Sequence, residues 1–158
     1  MDIGLYDERL PRSEDDDLTY RMAERGAKVY ITPEIKSVYY PRDSYLKLFK
    51  QYYEYGLWKV AVIKKHKKPA RISHLIPMLF VLFLVVFGIL SFILKPVAYI
   101  FSAVLLLYLI LDVYFSFKSK YITSLKNKLR LVYVHFILHV SYGLGFWQGI
   151  FKFMGTKW

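Results

Sequence analysis

The stretch LIPMLFVLFLVVFGILSFIL, residues 75–94, decides the fold because it contains no charged residue in 20 positions. A second stretch, VAYIFSAVLLLYLILDVYFSF, residues 97–117, holds one charged residue, Asp112, in 21 positions. A helix needs about 20 apolar residues to cross a hydrocarbon core about 30 Å thick. A helix buried in a soluble protein normally keeps a polar stripe, which both stretches lack. Both are therefore predicted to span a membrane.

A third apolar segment, residues 131–151, contains His135, His139, Gln148 and three glycines. The segment either crosses the membrane or enters it and returns. The two histidines are four residues apart, which is the spacing of a histidine pair on one helix face that could bind a metal. Without a third ligand in view we predict a structural or headgroup-level pair and no metal site. Asp112 is expected to reach Lys118 or water at the end of its span.

The net charge of +11 is concentrated on both sides of the first two spans. Six Lys and Arg residues lie within residues 59–71 and five more within residues 118–130. Basic flanks remain in the cytoplasm, so the N-terminal segment is predicted to be cytoplasmic and the turn at Lys95 and Pro96 external. The clusters predict membrane lipid as a partner rather than nucleic acid. The chain has no cysteine, which excludes disulfides and thiolate metal sites.

Residues 13–26 carry the signals of a short helix. Ser13 stands at the N-cap position, acidic residues fill the first turn, and Gly26 stands at the end. Two short strands are predicted at residues 27–32 and 36–40, which are rich in β-forming residues and end at prolines. The N-terminal part is therefore expected to be a small α+β segment.

A longer helix is predicted after Asp43 or Ser44, because apolar and aromatic residues recur there at helical spacing. Its other face is basic. Such a helix, leading into a span, either lies in the membrane interface or packs on a soluble core. The predicted fold is thus a membrane α-helical protein of two to three spans, with residues 1–70 as the N-terminal domain and residues 71–158 as the membrane domain.

Three motifs resemble those of a known enzyme family. They are GLYDERLPRSEDDDLTYR at residues 4–21, YPRDS at residues 40–44 and QYYEYGLW at residues 51–58. The first is similar to the Glu-Asp motif of family 2 glycosyltransferases of the GT-A fold. The other two resemble the ExoA-type succinoglycan branch of that family, in which hydrophobic spans follow the catalytic domain. Glu54 and Tyr55 stand where processive synthases have Arg and Trp, which argues against processive polymer synthesis.

The resemblance implies inverting transfer of a sugar from a nucleotide-sugar to a lipid-linked or polysaccharide acceptor. It makes Asp15 the catalytic base. Glu14 is expected to orient that base or hold the acceptor. Gln51 and Trp58 are expected to bind acceptor sugar, and Arg21 is the family's helix arginine, in an acceptor-binding or structural role.

The resemblance also implies an N-terminal nucleotide-sugar-binding half, with an Asp-x-Asp element that holds a divalent cation such as Mg²⁺ or Mn²⁺. No Asp-x-Asp precedes the Glu-Asp motif in these 158 residues. We therefore expect no cofactor in this chain and no transfer by the chain alone. The chain is then a truncated gene product, a gene remnant or one half of a split enzyme, and in the last case a separate chain supplies the missing half. The alternatives are a small non-enzymatic membrane protein that binds a partner through its acidic-aromatic module and, less favoured, a transporter subunit using Asp112, His135 and His139.

Overall fold

The computed structural model describes residues 3–69 and 71–158, and it is all-helical over these ranges. Residues 1 and 70, the two ends of the predicted N-terminal domain, lie outside the described residues. The helices in chain order are α1 (Glu14–Glu24), α2 (Tyr45–His66), α3 (Ile76–Ser91), α4 (Lys95–Lys118) and α5 (Leu125–Phe153), with a single 3₁₀ turn, Ile72–Leu75, that leads into α3.

α3 and α4 form an antiparallel apolar hairpin joined by residues 92–94. The ring of Phe80 stacks on that of Tyr108 with centroids 4.7 Å apart. Three helical segments are long and apolar enough to cross a membrane: Ile72–Ser91, Lys95–Lys118 and Leu125–Phe153. They contain or overlap the three predicted segments. The prediction of an integral membrane protein is therefore confirmed.

Asp112 points to α5 and not to Lys118 or open water. Its side chain is 4% exposed, and its Oδ1 lies 2.6 Å from Nδ1 of His135. One turn further along α5, Nδ1 of His139 lies 3.0 Å from the hydroxyl of Tyr108. The two histidines therefore join α5 to α4, which is the structural role that their spacing allowed.

α2 packs against α5 along closely spaced backbones. A Cβ built on Gly145 would lie 1.9 Å from the carbonyl oxygen of Tyr53, and one built on Gly56 would lie 2.0 Å from that of Tyr142. Such contacts are possible only without a side chain, as in other helix pairs with small residues at the interface. The hydroxyl of Tyr53 also donates to Oε1 of Gln148 at 2.6 Å.

The ends of α1 and α2 follow the local signals in the sequence. The Oγ of Ser44 accepts a hydrogen bond from the backbone N–H of Lys47, so Ser44 is the N-cap of α2. Gly26 adopts φ +68° just after α1, where the left-handed conformation ends the helix. Ser13 stands at the N-cap position of α1, but its side chain makes no capping hydrogen bond.

The prediction of two strands, and with it the α+β segment, is wrong. Within residues 3–69 and 71–158 no strand forms. The β-forming side chains remain in solvent; Tyr30 and Ile31 are each 87% exposed and Tyr40 is 80% exposed. An extended segment becomes a strand only when a neighbouring strand pairs with its backbone. Residues 27–43 have no such neighbour in the described part of the chain.

The largest buried cluster lies where α1, α2, the end of α5 and the start of α3 meet. It consists of Leu10, Leu57, Val60, Ala61, Val62, Phe146 and Phe153. Leu75 and Met78, at the start of the apolar hairpin, pack against it. The N-terminal module thus shares a core with the membrane part of the chain.

The close approach of α2 and α5 predicts that Gly145→Ala is destabilising. The added methyl group must push apart two backbones, and overpacking of this kind costs about 1–3 kcal/mol. Gly88→Ala is the matched control, because a Cβ there would meet the ring of Phe101 at an ordinary 3.7 Å. Thermal unfolding in detergent should show a lower midpoint for the first variant only; equal midpoints would contradict the packing described.

Candidate functional site

α1 docks on the C-terminal end of α2 through a buried carboxylate. Asp17 is fully buried and lies 2.7 Å from Nζ of Lys65, 2.8 Å from Nε2 of His66 and 3.0 Å from Nε of Arg21. Burial alone raises the pKa of Asp17, but the hydrogen bonds from Lys65 and His66 outweigh it and hold the pKa below its ordinary value. The ionised Asp17 therefore fixes the position of α1.

Arg21 extends this network to the segment before α1. Its guanidinium donates to the backbone carbonyls of Ile3 and Leu5. Asp7 accepts a hydrogen bond from the same Lys65 that pairs with Asp17, at 2.8 Å. The segment before α1 and α1 itself are thus held to one another and to α2.

A polar cavity of about 290 Å³, here called the junction cavity, opens where α1, α2, α5 and the 3₁₀ turn meet. Its lining consists of Ser13, Asp15, Asp16, Tyr55, Lys59, His74 and Tyr142. Asp15 is its exposed carboxylate, whereas Asp16 pairs with the buried Lys59. Among the described residues, Nδ1 of His74 and the hydroxyl of Tyr142 are buried without a hydrogen-bond partner.

The junction cavity can bind a polar molecule and take a proton from it. Buried polar atoms normally have a partner, so the free His74 nitrogen and Tyr142 hydroxyl suit hydrogen bonds to a bound hydroxyl or phosphate. The ammonium of Lys59 adds positive charge at the cavity wall. A carboxylate such as Asp15, within reach of a bound hydroxyl, can act as a general base.

Gln51 lies in a neighbouring cavity of about 250 Å³. The other residues of its lining are Arg12, Arg42, Lys47, Lys50, Glu54 and Tyr55. The side-chain amide of Gln51 donates to the hydroxyl of Tyr55 at 2.7 Å. Because Tyr55 lines both cavities, the predicted positions of Gln51 and Asp15 adjoin through this one side chain.

Two predicted site residues, Trp58 and Glu14, line neither of these cavities. The indole of Trp58 lies against the ring of Phe153 at a tilt, with centroids 5.3 Å apart, and Nζ of Lys152 lies 4.8 Å from the Trp58 ring centroid. Glu14 is the first residue of α1 and is not among the described residues that line the junction cavity. The structure therefore brings Asp15 close to Gln51 but separates it from Trp58.

Of the residues that line the junction cavity, Asp15 is the one that was predicted as a site residue from the sequence. Tyr55 and Lys59 follow Gln51 at intervals of four on α2, so helical periodicity alone could have pointed to them. His74 and Tyr142 come from distant parts of the chain, and only the packing of α5 against α2 and α3 brings them together.

The described residues combine an apolar hairpin long enough to cross a membrane with a polar cavity at one of its ends, as expected of an integral membrane protein. Over 76 residues, 48% of this chain, the sequence is 33% identical to the succinoglycan biosynthesis protein ExoA of Rhizobium meliloti (strain 1021). The chain spans 23% of that protein's length. No family model and no solved structure matches the chain. The predicted resemblance to the ExoA-type branch is thus confirmed for about half of the chain.

We expect Asp17→Asn to release α1 from α2. Breaking a buried ion pair leaves the remaining charges unpaired and typically costs about 3–5 kcal/mol. Limited proteolysis of the full chain in detergent should show faster cleavage around α1. Asp43→Asn is the control, since Asp43 forms an exposed pair with Lys47 and its removal should leave the cleavage rate unchanged. Equal cleavage of both variants would contradict the anchoring role.

The docking of α1 should also weaken in acid. Because the folded-state pKa of Asp17 is lowered, its stabilising effect is complete above the ordinary carboxyl value of about 4 and decreases as the pH falls below it. The same cleavage assay, repeated from neutral to acidic pH, should therefore show α1 released in the wild type at low pH. The Asn variant should lack this part of the pH dependence.

Proposed function

We propose that this chain is the acceptor-side, membrane-anchored part of a family 2 glycosyltransferase, which transfers a sugar from a nucleotide-sugar to a lipid-linked or polysaccharide acceptor. The observation that carries the proposal is the junction cavity, where the exposed Asp15 faces unpaired polar groups at the end of the apolar hairpin. An acceptor attached to a membrane lipid can reach this position. The similarity to a succinoglycan biosynthesis protein supports the proposal.

In this proposal Asp15 accepts the proton of the acceptor hydroxyl as its oxygen attacks the anomeric carbon of the donor sugar. The new glycosidic bond forms as the bond to the nucleoside diphosphate breaks, and the diphosphate leaves with the bonding electrons. Lys59, His74 and Tyr142 hold the acceptor. The neighbouring cavity at Gln51 takes the next part of the acceptor, beyond Tyr55.

Supporting roles in the proposed transfer fall to Glu14, Trp58 and Arg21. Glu14 borders the base in sequence and can orient it. Trp58 offers an aromatic face to a more distant part of the acceptor, at the surface it shares with Lys152. Arg21 supports the site through its contacts with Asp17 and the N-terminal carbonyls.

The residues present do not fit the divalent cation that the resemblance implies. Asp17 is enclosed by Lys65 and His66, and Asp16 pairs with Lys59. Within the described ranges no group of three or more His, Asp or Glu side chains is placed to hold a metal ion. We therefore assign the cation to the nucleotide-sugar-binding half.

The base assignment predicts that Asp15→Asn abolishes transfer. The chain is expressed as a fusion behind a family 2 nucleotide-sugar-binding half, and incorporation of labelled sugar into the lipid and polysaccharide fractions of membranes is measured. The Asn variant should lose at least about 10²-fold in rate, the usual contribution of a general base. Glu24→Gln, at an exposed carboxylate of α1 that lines neither cavity, should retain the rate of the unmodified fusion. Retained transfer by the Asp15→Asn fusion would contradict the assignment.

The exposed segment at residues 27–43 supports contact with a nucleotide-sugar-binding half. Its β-forming side chains include Val29, Ile31, Ile35 and Val38, all at least 64% exposed. Such unpaired, apolar, extended backbone can add strands to the edge of another sheet. We propose that the sheet of the nucleotide-sugar-binding half takes up this segment.

Hydrogen exchange tests this partner directly. Amides of residues 29–31 and 38–40 should exchange slowly once the nucleotide-sugar-binding half is present and rapidly in its absence. Val29→Pro removes one backbone donor and should reduce the protection, whereas Val29→Thr should preserve it. Protection by an unrelated membrane partner, without sugar transfer, would instead support the non-enzymatic partner-binding function.

A further inference from the structure

Both ends of α5 lie at the same end of the apolar hairpin. Near its start, Nζ of Lys128 donates to the carbonyl of Phe117 in the last turn of α4, at 2.9 Å. Near its end, the indole N–H of Trp147 donates to the carbonyl of Met78 in the first turn of α3, at 3.1 Å. Because α3 and α4 are antiparallel, these two turns are neighbours. A spanning helix that starts beside Phe117 would instead end beside the hairpin turn at residues 92–94.

The middle of α5 follows the same course. His135 meets Asp112 and His139 meets Tyr108, both in the C-terminal half of α4. A Cβ on Gly143 would lie 2.3 Å from the carbonyl of Pro77, again in the first turn of α3. α5 therefore passes across the base of the hairpin rather than along its length.

α2 runs parallel to α5, and its charges also argue against a membrane-spanning α5. The rings of Tyr45 and Tyr133 meet with centroids 5.1 Å apart, and Lys64 donates to the carbonyls of Phe153 and Met154 at the other end. Besides Lys64, α2 carries Lys47, Lys50, Glu54, Lys59 and Lys65. Each charge placed at the centre of a bilayer is costly, by at least about 2.5 kcal/mol. A helix bound to α2 over this length is therefore poorly suited to cross the hydrocarbon core.

An apolar stripe runs from one end of α5 to the other, on the face opposite the glycines that contact α2; its Tyr133 also reaches Tyr45 at the start of α2. It recurs every three or four residues and consists of Leu125, Leu129, Tyr133, Phe136, Val140, Leu144, Trp147 and Phe151. Leu125 is 62% exposed at one end and Phe151 is 67% exposed at the other. The glycines that contact α2, Gly145 and Gly149, lie on the opposite face.

Basic side chains flank this stripe where a bilayer surface would carry phosphate groups. Lys126, Lys128 and Arg130 lie at the start of α5 and Lys152 lies at its end. An apolar stripe beneath charged side chains is the pattern of a helix that lies in the interface with its apolar face about 5–10 Å deep. Anionic headgroups attract such basic residues.

We propose that α5 lies along the membrane interface, with its apolar stripe in the acyl-chain boundary and α2 on its water side. The described part of the chain then crosses the bilayer twice, through α3 and α4. Its C-terminus is on the same side as α1 and the junction cavity. This inference does not rest on the proposed function, because it uses only the positions of the helices and their charges.

Single cysteines test the topology of the full chain, which has none of its own. Cysteine is placed at Trp158, at Arg12 beside α1, or at Phe92 in the hairpin turn, and labelled with a membrane-impermeant maleimide in intact cells and in inverted vesicles. We expect Trp158→Cys to be labelled in the same preparation as Arg12→Cys and in the opposite preparation from Phe92→Cys. Labelling of Trp158→Cys together with Phe92→Cys would place α5 across the bilayer and overturn the proposal.

Spin labels on the stripe test its depth in vesicles that contain anionic lipid. Labels at Leu129, Phe136, Leu144 and Phe151 should all report a similar shallow depth, whereas the control label at Leu107 in α4 should be deep. A profile that is deepest at Phe136 and Leu144 and shallow at both ends would indicate a span and overturn the proposal. Low accessibility to oxygen at all four positions would place a protein, such as a second copy of this chain, on the stripe and would also overturn it.

Discussion

The close approach of α2 and α5 is the contact on which the rest of the structure depends. Gly56 and Gly145 have no side chains, which would otherwise hold the two backbones apart. Their approach sets Tyr142 opposite Lys59, and it lets Gly143 meet the first turn of α3 at Pro77. Small residues let two helix backbones approach closely, so that van der Waals packing along the contact holds the pair together.

A second kind of force holds the N-terminal module to this helix pair. Three basic or titratable side chains, Arg21, Lys65 and His66, meet around the carboxylate of Asp17. The apolar cluster around Leu57 and Phe146 lies beside this network. The position of Asp15 is thus fixed indirectly, by an ionic attachment at one end of α1 and by the glycine contacts of α2.

Much of the architecture was predictable, because composition alone identifies segments without charges and because Ser44 and Gly26 mark helix ends locally. The strands were predicted wrongly, since propensity describes a segment such as residues 27–32 but cannot supply the strand that pairs with it. The lining of the junction cavity was predictable only in part. A sequence motif predicted Asp15. The positions of His74 and Tyr142 in the cavity depend on how α5 packs, and neither the length nor the hydropathy of α5 determines that.

The short hairpin turn between α3 and α4 affects how the chain is inserted into the membrane. If α5 remains at the surface, only residues 92–94 and the adjoining Lys95 have to pass to the far side of the bilayer, and Lys95 is the only charge among them. Both basic clusters would then stay on one side of the bilayer, which the positive-inside rule predicts to be the cytoplasmic side, where the ribosome releases the chain. Insertion would then require the transfer of one short loop, and the module that carries Asp15 could fold in water while the hairpin enters the lipid.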